Sequence, residues 1–143
     1  MPDRRGRAEV HLRMPVAADA GWLAAADRAA ATAFAPPVGL EEVRLNDDLA
    51  DGAWASAALF GWAVLVDGEP AGFALVRSGQ AGDADVRLRI APGRRGRGAG
   101  REVLRQLADH HFAADAGLNR LTGRTHERNV PMQRVFHAAG FRM

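Results

Sequence analysis

The stretch Ala91-Pro-Gly-Arg-Arg-Gly-Arg-Gly-Ala-Gly100 concentrates the residue types most able to hold a charged ligand. It follows a patterned strand and opens a helical period. Gly96, Gly98 and Gly100 remove side chains where that helix begins. The first amides of a helix lack internal partners and carry the positive end of its dipole. Glycines let an anion approach that backbone closely, so the turn suits phosphate. Arg94, Arg95, Arg97 and Arg101 add positive charge nearby, and seven of the 19 Arg lie within 87–105. A polyanionic ligand is indicated. The P-loop pattern fails because Gly93-x4-Gly98 is followed by Ala99-Gly100 rather than Lys-Ser/Thr. The dinucleotide pattern fails because Gly96-x-Gly98 is followed by Ala99-Gly100-Arg101. What fits is Arg95-x-x-Gly98-x-Gly100.

Composition bounds the rest. The 143 residues are 48% hydrophobic and 25% charged, the profile of one globular domain. There is no Cys and no Tyr, and all 19 basic residues are Arg. Disulfides, thiolate catalysis, Cys-ligated zinc and lysine chemistry are therefore excluded. Nothing titrates between His and Arg, so the isoelectric point is high on a net charge of only +2. That balance does not argue for nucleic acid as a partner. No apolar run is long enough for a membrane helix. Residues 1–7 read as a disordered basic arm without the apolar stretch of a secretory signal, so a cytoplasmic setting is the default. His110 and His111 have no metal-ligand spacing, and no metal is expected.

The elements that must position the loop follow from periodicity. Residues 8–14 alternate as a half-buried strand that Pro15 stops. Residues 17–34 place Trp22, Leu23, Ala26, Ala30 and Phe34 on one helical face, with Asp19 as cap. A short helix is expected over 49–59. Residues 62–66 and 71–76 flank Asp67-Gly68 as a hairpin. In 85–90, Val86, Leu88 and Ile90 share one face, and Asp85, Arg87 and Arg89 the other. Residues 98–114 repeat Val103, Leu104, Leu107, Ala108, His111 and Phe112 at helical spacing. A strand over 118–125 precedes a helix capped by Asn129, with Pro131 in its first turn and Gly140 just past its end. Trp54 and Trp62 read as core. The order β-α-(α)-βββ-α-β-α is an α/β three-layer sandwich around a mixed central sheet flanked by helices, in a single domain over 8–143.

The loop signature, placed after a strand and Pro92 and before a helix, resembles the acetyl-CoA-binding signature of the GNAT family of N-acetyltransferases. The run Gly117-Leu-Asn-Arg-Leu-Thr-Gly-Arg-Thr-His-Glu-Arg-Asn-Val-Pro-Met-Gln-Arg-Val-Phe-His-Ala-Ala-Gly-Phe141 is similar to that family's next strand and helix. It is most like the branch of ribosomal-protein N-terminal and polyamine acetyltransferases.

The resemblance implies an acetyl-CoA-binding core over about 84–141 and no metal. The amides of Arg95, Gly96, Arg97, Gly98, Ala99, Gly100 and Arg101 would hold the CoA diphosphate. The backbone of Leu88, Arg89 and Ile90 would pair with the pantetheine arm as an added strand. An amide near Ile90 would stabilise the oxyanion. Asn129 would contact the CoA arm or hold the start of the last helix. A primary amine attacks the thioester directly and must first lose a proton. Asp85 matches an acidic position on the family's fourth strand and is the first candidate base. His126 and Glu127 are second choices. Many members protonate the leaving thiolate from a Tyr on the last helix. Phe136 stands there, which leaves His137 or water as the proton source.

Acceptors consistent with the resemblance are a protein N-terminus, a polyamine, an aminoglycoside or a small metabolite. Family members continue with one or two further strands, so C-terminal strands are expected to be missing. The open edge then invites a second copy of the chain. The alternative is a non-catalytic CoA-binding or regulatory module that keeps the loop without the chemistry.

Overall fold

The structure, a computed structural model, describes residues 6–32, 35–56, 58–124 and 128–142. One five-stranded sheet has the order β1-β2-β3-β4-β5. Its strands are β1 (Val10–Arg13), β2 (Leu59–Val66), β3 (Glu69–Ser78), β4 (Asp83–Ile90) and β5 (Arg120–Gly123). The first four pair antiparallel, and β5 joins β4 in parallel. Asp67 and Gly68 both take left-handed φ, 52° and 81°, as the tight β2–β3 hairpin requires.

Each sheet face is covered by helices, so the expected three layers are present. Helices α3 (Ala99–Ala114) and α4 (Val130–Ala138) lie on the side where Val86, Leu88 and Ile90 point. Val103, Leu104 and Leu107 seal that core at 0% exposure, whereas Phe112, at the end of the same period, stays 44% exposed. Helices α1 (Ala20–Ala30) and α2 (Glu42–Ala50) cover the opposite face around Phe73 and Leu75. Trp54 and Trp62 are both core residues. Among the described residues no helix is long and apolar enough to cross a membrane.

Three sequence expectations shift. The second helix is α2 rather than 49–59, because Leu45 and Leu49 anchor it at i, i+4 and Gly52 leaves at φ 73°. The fifth strand is shorter than 118–125, since Leu118 and Asn119 donate their amides to the turn carbonyls of Asp115 and Gly82. Asp19 does not cap α1 by its side chain. Its carboxylate instead accepts Arg13 Nη1 at 2.7 Å, Arg13 Nη2 at 2.9 Å, the Val16 amide at 2.8 Å and Trp22 Nε1 at 2.9 Å. The Arg13 guanidinium is the first cause that holds this carboxyl down at about 2.

A second buried carboxylate holds a turn in place. Asp27, 1% exposed on α1, accepts the amides of Val38, Gly39 and Leu40 at 2.7, 2.8 and 2.8 Å. It fixes a turn that no sheet or helix supports. Removing it orphans three amides, and buried unsatisfied donors each cost about 1–3 kcal/mol. Asp27→Ala should lose on the order of 3 kcal/mol in urea unfolding, against under about 0.5 kcal/mol for exposed Asp47→Ala.

On the other face, Trp62 Nε1 donates to His111 Nε2 at 3.0 Å, so the folded imidazole is neutral. Burial first, and His110 second, lower its pKa from 6.5. The unfolded state then binds more protons, so this contribution is complete above the ordinary value and is lost as pH falls through the folded one. Thermal scans from about pH 7.5 to 5.5 should show a falling Tm, and His111→Gln should flatten that slope. The Asp19 contribution disappears only at more acidic pH, as its carboxyl protonates on the way down to about 2.

Candidate active site

β4 and β5 pair only from Asp83 with Arg120 to Val86 with Gly123, and then part. Beyond that point β4 keeps β3 as its partner on one side only. The Ala91 amide donates to the Ala71 carbonyl at 2.8 Å. With the β3–β4 register, this places the backbones of Arg87 and Arg89 in hydrogen-bonded pairs with β3. The amides of Leu88 and Ile90 therefore face the split. Their carbonyls are occupied: Arg89 Nη1 donates to Leu88 at 3.0 Å and Arg95 Nε to Ile90 at 2.9 Å. Of the three residues assigned to pair with a cosubstrate arm, only Leu88 and Ile90 offer free backbone donors, while Arg89 is committed to the sheet.

The glycine loop lies at the end of β4. Gly96, Arg97 and Gly98 are consecutive left-handed residues, at φ 90°, 52° and 76°. Such a run turns successive amides toward one side and makes an anion-binding concavity. Ala99 donates to Gly96 and Glu102 to Gly98 as α3 begins. Among the described residues, the amides of Gly96, Arg97 and Gly98 have no backbone acceptor. A Cβ on Gly96 or Gly98 would meet nothing within 4 Å, so the space above the loop is open.

Two of the loop arginines do something other than add charge. Arg95 reaches back with Nε to Ile90 and with Nη2 to the Ala30 carbonyl, at 3.3 Å, which locks β4 and the end of α1 together. Arg97 pairs with Asp67 in the β2–β3 turn, and its carbonyl accepts the Ala8 amide at 3.0 Å. Arg94 and Arg101 remain exposed at the loop. Gly100 also has a different reason from the one expected. A Cβ there would lie 2.9 Å from Val135 Cγ1, so this glycine lets α3 pack against α4.

The split opens into a cleft of about 1040 Å³ that continues to Gly96 and Gly100. Asp85, Leu88, Asn129 and Phe136 line it. Asp85 pairs in register with Thr122, one step before the strands part. Its Oδ1 and Arg89 Nε are buried, with no hydrogen-bond partner among the described residues. Asn129 Oδ1 accepts the Met132 amide at 3.4 Å, so it holds the start of α4. Phe136 is buried at 8%, and Gly123 leaves room for its ring. Gly140, at φ 92°, ends α4, where the Gly140 amide donates to the His137 carbonyl and the Phe141 amide to the Phe136 carbonyl. His137 is exposed and does not line the cleft. His126 and Glu127 lie outside the described residues. Among those described, no three His, Asp or Glu side chains cluster as a metal site.

Sequence reading missed Arg77, Thr122, Arg124, Met132 and Val135, which also line the cleft. Strand pairing and the packing of α4, not local pattern, bring them to β4.

A strand pair that parts beside a helix start with free amides defines a fold for binding an extended, phosphate-tailed cosubstrate. The profile of the acetyltransferase (GNAT) domain matches residues 9–142, and the chain belongs to that family of N-acetyltransferases. No curated protein matches it. Among solved structures, a GNAT acetyltransferase from Streptococcus pneumoniae is 20% identical with a TM-score of 0.76, covering 92% of this chain and 84% of that one. RimJ of Mycobacterium smegmatis, solved with CoA-disulfide, is 23% identical with a TM-score of 0.76, covering 95% and 73%. Spermidine N-acetyltransferase SpeG of Vibrio cholerae is 17% identical with a TM-score of 0.70, covering 92% and 78%. The free amides of Gly96, Arg97 and Gly98 and the open split fit acetyl-CoA, the family's cosubstrate.

The two glycines should separate by experiment. Gly98→Glu should stay folded, losing about 1–2 kcal/mol for its left-handed backbone, and weaken CoA binding at least tenfold by calorimetry. Gly100→Val should instead lower Tm, because its side chain must displace Val135 or shift the helices.

Proposed function

We propose that this chain transfers acetyl from acetyl-CoA to a primary amine by direct attack, with Asp85 as general base. The observation that carries this reading is the continuous cleft from Asp85, whose Oδ1 has no partner among the described residues, past the Leu88 amide, to the open glycine loop. The amine nitrogen forms the new bond to the acetyl carbon, the C–S bond breaks, and the sulfur leaves as thiolate. Asp85 takes the proton that the amine releases. Water supplies the thiolate proton, since Phe136 has none and His137 points away. A thiol pKa of about 8.5 makes that departure feasible without a dedicated acid.

The rise of about 3.3 Å per residue puts the Leu88 and Ile90 backbones about 10 and 16 Å along the strand from Asp85. A carboxylate working through one water reaches chemistry at Leu88 but not at Ile90. Leu88 is therefore the oxyanion donor in this proposal, and Ile90 pairs with the pantetheine arm. Arg94, Arg101 and the amides of Gly96, Arg97 and Gly98 hold the diphosphate.

The second reading is a module that binds CoA without turning it over, favoured by Phe136 standing where it can give no proton. A cytoplasmic setting suits a chain without cysteine, and the outer edges of β1 and β5 leave room for a second copy.

Thiol release with acetyl-CoA and a primary-amine panel decides between the readings. Asp85→Asn should lower kcat about 10²–10³-fold with the KM for acetyl-CoA within about twofold. The deficit should narrow as pH approaches the acceptor's own pKa of about 10. CoA binding without thiol release for any amine would establish the second reading, and an equal deficit at all pH values would remove Asp85 as base.

A further inference from the structure

The acceptor side of this cleft has an electrostatic character that the cosubstrate side does not explain. β4 sends Val86, Leu88 and Ile90 to the face where α3 packs, so Arg87 and Arg89 project to the other face, the one that α1 and α2 cover. The pairing register brings Arg77 opposite Asp85 on that face. Arg124, at the end of β5, lines the same cleft. None of these four arginines forms an ion pair with a described residue. The two carboxylates of the cleft lining are Asp83 and Asp85, and Asp83 is already paired with Arg120 at 2.7 Å. The acceptor side thus carries Arg77, Arg87, Arg89 and Arg124 against one uncommitted carboxylate. Burial first, and the charge of Arg87 second, pull Arg89 below its ordinary pKa, while the charge of Asp27 acts the other way.

Resting on the acetyltransferase reading above, the geometry points to an acceptor amine that bears a carboxylate a few bonds away, held by Arg87 and Arg77. A guanidinium grips a carboxylate through two parallel bonds, which fixes the neighbouring amine in one orientation. A wall of like charge repels spermidine or an aminoglycoside, which carry several cationic amines and no anion. The same field disfavours the ammonium form of the bound acceptor and so helps Asp85 take its proton. The direction of this preference is opposite to what spermidine acetylation by a structural neighbour would suggest.

The test compares L-glutamate, its diamide glutaminamide, an acidic peptide with a free N-terminus, and spermidine, each with acetyl-CoA. One or both carboxylate-bearing amines should exceed glutaminamide at least tenfold in kcat/KM, and that advantage should shrink with added salt. Glutamate against the peptide tells a free amino acid from a chain terminus. Arg87→Gln and Arg77→Gln, both exposed positions, should raise the acceptor KM and erase the acid preference without changing the KM for acetyl-CoA. Arg87→Lys should keep part of the preference, and Arg87→Glu should improve spermidine. Spermidine or glutaminamide used as well as the acids, or a preference unmoved by Arg87→Gln, would overturn the inference while leaving acetyl transfer intact. Absence of CoA uptake by calorimetry, or of thiol release with every amine, would overturn both.

Discussion

The chain's capacity to bind a cosubstrate depends on hydrogen-bond donors that the fold declines to use. Backbone amides are nearly always paired when buried, and a sheet is the cheapest way to pair them. Here β5 is only four residues long and leaves β4 at Gly123. Leu88 and Ile90 are left as donors at an internal edge, shielded from edge-to-edge association by α3 and α4 on one side and the residue 35–38 turn on the other. Everything else in the site follows from that parting: the cleft, the access of Asp85 to it, and the line from the strand to the glycine loop.

Keeping such a split open requires both sides to be held. Arg95 ties the end of β4 to the last turn of α1, and Asp27 ties α1 to a turn that lines the cleft. On the far side, Asn129 starts α4 and the close of that helix at Gly140 stacks Phe141 against Phe136, with ring centres 5.1 Å apart. Gly123 accepts the Phe136 ring where any side chain would collide. The position that could have carried a proton donor is thus filled by packing.

Local signals made much of this legible. The alternation of β4, the apolar period of α3, the Asn129 cap with Pro131 and the Gly140 stop all declare themselves within a few residues, and each element formed where its pattern lies. α2 was harder, because Leu45 and Leu49 are the only buried residues in an otherwise charged segment. The glycine loop was recognisable by spacing, but the separate duties of its members were not. Arg95 finds its second partner 65 residues away, and Gly100 is small on account of Val135, which belongs to another helix. The acceptor wall was invisible for the same reason: Arg77, Arg87 and Arg124 line one cleft only once β3, β4 and β5 are assembled.

The exclusive use of arginine has a chemical corollary for a protein that handles an activated acyl group. Lysine ammonium groups are the usual bystanders that thioesters modify, whereas guanidinium groups resist acylation. With 19 arginines and no lysine, the chain has no side-chain nucleophilic nitrogen of that kind to scavenge its own reagent. Its cationic surface can therefore sit beside a reactive thioester without being consumed by it.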